Sequence, residues 1–159
     1  MYKTAVIVAG TLLALLALPP IASAATRLDA FERAVIREVN DARAQNGLGA
    51  LKANRQLSRA ADVHTTDMIR SDFFDHTSSD GTPFDSRVRR YARVGLVGET
   101  LAAVPGQAGA AGRVVQMWLE SAPHRAIVLH GGFKKIGIGK RLGSIGTDRS
   151  AVVTADFGG

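Results

Sequence analysis

Apolar residues recur at three- and four-residue steps along most of the first two thirds of the chain. Phe31, Val35, Val39 and Ala42 fall on one helical face. Asp29-Ala30-Phe31-Glu32 reads as a capping box at its start, with Asp29 as N-cap and Glu32 at N3, and Gly47 is a natural stop. The opposite face carries Arg33, Arg37, Asp41 and Arg43, which predicts a solvated surface. Leu48-Gly49-Ala50-Leu51 is a turn with two apolar plugs. Asn54 then caps a second helix over about 55–71, whose inner side holds Leu57, Ala60, Ala61, His64 and Met68. Thr82-Pro83-Phe84-Asp85 predicts another start, with Thr82 as cap and Pro83 at N1, and a short helix to about Tyr91. Gly95 to Leu101 reads as a short buried element with an acid, Glu99, inside it. Val104 to Gly112 is a Gly/Ala-rich loop. A third long helix follows from near Ala110, carrying Val114, Val115, Met117 and Trp118, and Pro123 opens a short one over His124 to Leu129.

The period then changes to two. Ile136 and Ile138 share one face of a strand whose other face is glycine and lysine. Glycine within a strand means close approach of another backbone. Gly143 to Asp148 is turn-like, and Ala151 to Ala155 has the composition of a buried strand. Mixed helices and strands with a terminal hairpin predict an α+β sandwich rather than a doubly wound parallel sheet.

The N-terminus changes the picture of where this domain works. Lys3, the apolar run Val6 to Leu18 and the small residues Ala22-Ser23-Ala24 read as a cleaved signal peptide over 1–24, leaving one domain over 28–158 and no stable membrane span. The apolar run is short of the roughly 20 residues that a spanning helix needs. There is no cysteine, so the domain is held by its core alone. The formal charge of +6, one less once Lys3 is removed, favours anionic surroundings such as a wall polymer or membrane surface. Scattered basic residues and few aromatics argue against nucleic acid.

Candidate chemistry centres on Phe73-Phe74-Asp75-His76-Thr77-Ser78-Ser79-Asp80-Gly81-Thr82-Pro83-Phe84. The paired aromatics suit a buried anchor, and the polar run suits a loop that the anchor holds, so that His76 is aimed. Gly98-Glu99-Thr100 and Trp118-Leu119-Glu120-Ser121-Ala122-Pro123-His124-Arg125 are expected to return to face it. His64, on an apolar face, reads as a core histidine bonded to a backbone carbonyl, with a site role as the alternative. Arg125 reads as pairing with a local carboxylate, or with an anionic ligand. His130 reads as an exposed loop residue and Trp118 as core.

Six pieces in order resemble the CAP superfamily (the SCP domain of cysteine-rich secretory proteins, antigen five and pathogenesis-related proteins), and its bacterial secreted branch in particular. They are Asn40-x-x-Arg43-x-x-x-Gly47-Leu48-x-x-Leu51, the Phe73 to Gly81 run, Gly98-Glu99-Thr100-Leu101, Trp118-x-x-Ser121-x-x-His124-Arg125-x-x-x-Leu129, Phe133-x-x-Ile136-Gly137-Ile138-Gly139, and Thr154-x-x-Phe157-Gly158. The resemblance implies a three-layer α-β-α sandwich around a mainly antiparallel sheet. It also implies a cleft lined by His76, Glu99 and His124, with Ser78 and Arg125 beside it. In some members that cleft binds a divalent metal. Thr100 stands where the family has Asn, Ala122-Pro123 where it has Pro-Gly, and Val152 and Ser121 where eukaryotic members have a histidine and a second glutamate.

Two imidazoles and a carboxylate are a normal zinc set, with Asp80, Ser78 or Thr100 as outer partners, and would leave a place for an activated water. The alternative is a buried hydrogen-bonded network without metal. Three functions follow as expectations. The first is a secreted binding domain for a cell-envelope component, lipid, wall polymer or protein. The second is a divalent-metal-dependent hydrolase on the same residues. The third is a structural envelope protein with a vestigial cleft.

Overall fold

The capping box forms as expected. In the computed structural model, which describes residues 29–105 and 110–159, Asp29 Oδ1 accepts from Glu32 N at 2.7 Å and Glu32 Oε2 accepts from Asp29 N at 2.8 Å. Together they start α1, Ala30–Gln45, which ends just before Gly47 at φ 70°. The expected signal segment 1–24 and residues 106–109 of the 104–112 loop lie outside the described residues. After a short strand β1, Lys52–Ala53, the Asn54 side chain accepts from Leu57 N and starts α2, Arg55–Arg70. Then come α3, Phe84–Tyr91, β2, Val97–Pro105, α4, Ala111–Glu120, α5, Ala122–Val128, and the hairpin β3, Lys135–Ile145, with β4, Asp148–Gly158.

The strands form one sheet in the order β1-β3-β4-β2, antiparallel except for the two-residue β1–β3 pairing. One face buries Ile136, Ile138, Val153, Ala155 and Phe157 against α1 and α4, where Val35, Val39, Val114 and Trp118 complete the main core. The other face carries α2 and α3 and is sealed by two smaller clusters around Leu57, Val88, Met68 and Val152. The result is the expected α-β-α layering, because strand alternation sends successive side chains to opposite layers.

Two glycines set the distance between α2 and the sheet. A Cβ on Gly137 would lie 2.0 Å from Ser58 N, and one on Gly139 would lie 2.5 Å from Ala61 C. The helix backbone therefore rests directly on the strand, as the Gly/Ile alternation predicts. Ile138 N donates to Ser58 Oγ at 3.2 Å, and Thr65 Oγ1 donates to Thr154 Oγ1 at 2.8 Å. This seating presses the inner side of α2, His64 included, toward β2 and β4.

Arg43 corrects the expectation of a wholly solvated face on α1. It is buried, and its guanidinium donates to Gly49 O at 2.9 Å, Val128 O at 2.8 Å and His130 O at 3.0 Å. Three carbonyls satisfy the buried cation without a carboxylate. The bonds also fasten the end of α5 to α1. Asn40 does the same for the following turn, exchanging two hydrogen bonds with the backbone of Leu51. A further correction of local detail is at α3: Pro83 occupies the N-cap, and Thr82 makes no capping bond.

Candidate functional site

His76 is positioned by a loop tied at nearly every step. Phe73 N donates to Met68 O, Asp75 Oδ1 accepts from Thr77 N, and Ser79 N and Oγ donate to Asp67. Gly81, at φ 81°, closes the turn in which its N donates to Ser78 O. Only one of the two aromatics serves as an anchor. Phe73 is half-buried against Met68 and Leu101, whereas Phe74 is 43 % exposed. Adjacent residues in an irregular segment cannot both point inward here.

Beneath the loop, His64 is fully buried and its Nε2–H donates to Asp75 O at 2.8 Å. That is the core role expected of it. Burial holds its imidazole below the ordinary histidine range, so it stays neutral.

Glu99 is the buried centre of the site. Its Oε1 accepts from His76 Nδ1 at 2.8 Å, and its Oε2 accepts from Arg87 Nη2. Arg87 comes from α3, is itself buried, and donates from Nη1 to His76 O at 3.0 Å and Ser78 Oγ at 2.9 Å. One guanidinium thus holds both the carboxylate and the loop that carries the imidazole. Burial alone would raise the Glu99 carboxyl; the His76 hydrogen bond and the Arg87 charge outweigh it and hold it low. The hydrogen bond to Glu99 raises His76 in turn, so the ring keeps its charge to higher pH than an isolated histidine.

Asp156 lies opposite Glu99 in the β2–β4 register, and the two acids share one face. It is fully buried, and neither oxygen receives an N–H or O–H from the described residues. Burial, then the neighbouring Glu99 charge, pushes its carboxyl well above the usual range. Asp156 is therefore the acid of the pair that keeps its proton to higher pH.

His124, on α5, approaches from the opposite side. Its ring centroid is 6.4 Å from that of His76, with the planes tilted by 57°, and Phe84 flanks His76 at 6.2 Å. Burial, then the His76 charge, lowers His124, so the two imidazoles are shifted in opposite directions. The structure thus brings His76, Glu99 and His124 together.

It does not bring in the rest. Arg125 turns away: its Nε donates to Leu119 O at 2.6 Å, closing the end of α4, with no carboxylate partner among the described residues. Ser78 is held by Arg87 rather than by a histidine, and Asp80 accepts from Thr82 N within the turn. Thr100 belongs to the opposite face of β2, so it cannot support Glu99. His130 is exposed and Trp118 is buried, donating from Nε1 to Leu101 O.

Among the described residues, no group of three or more His, Cys, Asp or Glu is placed to share a metal ion. The chemistry agrees with this. Both Glu99 oxygens are engaged, one by a guanidinium, and the His76 nitrogen nearest the carboxylate is spent on it. The residues present do not fit a three-ligand zinc site in this arrangement. Arg87 and Asp156 stand outside the sequence-derived set and are half of the buried centre.

Comparison with known proteins places this geometry among relatives. The model of the cysteine-rich secretory protein family (CAP) matches residues 36–157. The uncharacterized protein YkwD of Bacillus subtilis (strain 168) is 33% identical over 129 residues, which are 80% of this chain and 49% of that protein. The chain thus spans about half the length of the curated relative it matches. An extracellular protein containing an SCP domain from Bacillus anthracis str. Ames superposes with a TM-score of 0.68 at 25% identity, over 80% of this chain and 40% of that one. An outer surface protein from Borrelia burgdorferi does so with a TM-score of 0.69 at 24% identity, over 79% and 90%.

Proposed function

The chain belongs to the cysteine-rich secretory protein (CAP) family, and we propose that it is an extracellular binding domain that engages a cell-envelope component through His76 and His124, without turnover. The observation that carries this reading is the commitment of Glu99. Its oxygens are used inward, on His76 and Arg87, and its side chain is 1% exposed. The two imidazoles are what remains for a ligand. His76 is 46% exposed, fixed in orientation and raised in proton affinity by Glu99; His124 is half-buried and lowered by burial. Two imidazoles of unequal proton affinity suit a polar group that both accepts and donates, such as a hydroxyl or amide of a lipid headgroup, wall polymer or protein.

Export through the 1–24 segment belongs to the same reading. Among the described residues, no helix is long and apolar enough to cross a membrane. The relatives described as extracellular or outer-surface proteins support a place outside the cell. The metal-dependent hydrolase would need Glu99 as a ligand, and ligation would break a buried ion pair. A metal-free acid–base pair is the one enzymatic alternative that an observation favours, since the two imidazoles are driven apart in proton affinity.

The test uses the purified protein beside His76→Ala and His124→Ala. Metal content, turnover of a chromogenic short-chain ester, and co-sedimentation with purified cell walls and with anionic phospholipid vesicles are measured together. The expected result is no stoichiometric metal, no turnover, and binding to walls or vesicles weakened about ten-fold or more in both variants. Stoichiometric metal or ester turnover, lost in both variants, would replace the reading with an enzyme. Unchanged binding in both would leave the cleft vestigial.

A further inference from the structure

A hollow of about 550 Å³ lies between α2, α3 and the 78–82 turn, lined by Arg59, Arg70, Arg87, Arg90 and Arg141. None of His76, Glu99 and His124 lines it. Two of its arginines are neutralised: Arg87 by Glu99, and Arg141 by Asp62 at 3.0 Å. Arg59, Arg70 and Arg90 have no carboxylate within ion-pair distance among the described residues. Arg59 lies over the Tyr91 ring, 5.8 Å from its centroid, and Arg90 makes one long bond, 3.4 Å, to Thr82 Oγ1.

The floor adds a second sign. Arg87 and His64 are both more than nine-tenths buried and both line the cavity. Each also holds a nitrogen, Nε and Nδ1 respectively, with no hydrogen-bond partner. Buried nitrogens of that kind are uncommon in native proteins. The rim carries acceptors as well, Asp67 and Asp80.

We infer that this groove is a binding site for an acidic saccharide. A bare anion would want donors only, and the aspartates would repel it. A fatty chain would want a lining without ionised groups, and eight of the fifteen residues here are Arg or Asp. Nucleic acid would want a series of stacking rings, and only Tyr91 is here. A sugar that bears a carboxylate or phosphate answers each feature of the site. Its oxyanion takes the forked donors of Arg59, Arg70 or Arg90. Its hydroxyls donate to Asp67 and Asp80, and its flat apolar side can lie near Tyr91. The formal charge of +6 draws such a polymer in. Arg87 borders both sites, but the arginines proposed to hold the ligand are Arg59, Arg70 and Arg90, so the inference does not rest on the function proposed above.

The experiment is isothermal titration of the purified protein with tetragalacturonate, glucose 6-phosphate, neutral maltotetraose and inorganic phosphate. Arg59 and Arg90 are exposed, so the Arg59→Ala/Arg90→Ala variant keeps the fold, which circular dichroism checks. Expected is binding of at least one acidic sugar, weakened about ten-fold in that variant, weakened by added salt, and unchanged in Arg113→Ala, an exposed arginine of α4 outside the groove. Which acidic sugar binds distinguishes a carboxylate ligand from a phosphate one. Binding of neither acidic sugar would overturn the inference. So would equal affinity for inorganic phosphate or maltotetraose, or an affinity that the double variant leaves intact.

Discussion

Gly137→Ala is expected to be among the most damaging single-methyl changes in this chain. The added Cβ would sit 2.0 Å from Ser58 N and 2.2 Å from Leu57 C, both backbone atoms of α2. A backbone cannot rotate aside as a side chain can, so the helix must lift off the sheet. Lifting α2 opens the Leu57, Ala60 and Val88 cluster and carries His64 away from Asp75 O. Overpacking of this kind costs at least about 3 kcal/mol, which lowers Tm by on the order of 10 °C in a domain of this size. Gly112→Ala is the control. It lies in α4 with no heavy atom within 4 Å of the new Cβ, and alanine should stabilise the helix by up to about 1 kcal/mol. Thermal unfolding of both variants checks the contrast. An unchanged Tm for Gly137→Ala would mean that α2 does not rest on β3 as described.

Arg87→Ala is the second large effect. It leaves Glu99 buried beside the Asp156 acid without its guanidinium, with His76 as the remaining partner, and removal of one partner of a buried pair costs about 3–5 kcal/mol. Glu99→Ala strands Arg87 in the same way. The double variant should therefore lose less than the sum of the two, by on the order of 2 kcal/mol. The pH dependence has a definite sign. Glu99 is held below its unfolded value, so its contribution is present above that value and lost as pH falls through the folded one. Asp156 is raised, so its contribution is present in acid and lost as pH rises through its folded value. Denaturant unfolding of the wild type, both single variants and the double variant over a pH series checks this. Strict additivity would contradict the pair.

Much of the frame is legible in the chain because local physics decides it. Asp29 and Glu32 cap α1 by contacts three residues apart. The Gly/Ile alternation of β3 announces both a core face and a seat for a helix. The position of His64 among apolar residues of α2 announces a buried ring that needs one backbone partner. Arg87 is not legible, because Arg87, Arg89 and Arg90 are alike in a basic run and only the docking of α3 on β2 selects which is buried. Arg43 departs from its expected exposure for a related reason: its partners lie 6, 85 and 87 residues away. Asp156 does leave a signal. An acid two places after Thr154, in a strand otherwise apolar, shares a face with it by alternation, and a buried acid needs a partner. Arg125 departs from the expected cleft because its neighbour His124 faces the site, and on a helix adjacent residues diverge by about 100°.

The most direct test is an NMR titration of the His76 and His124 ring resonances, repeated in Glu99→Gln. His76 should titrate above an ordinary histidine and His124 below it, and Glu99→Gln should bring His76 down. Both rings titrating together at the ordinary value, or His76 unmoved by Glu99→Gln, would contradict a histidine pair whose proton affinities are split, His76 raised by the buried Glu99 and His124 lowered by burial.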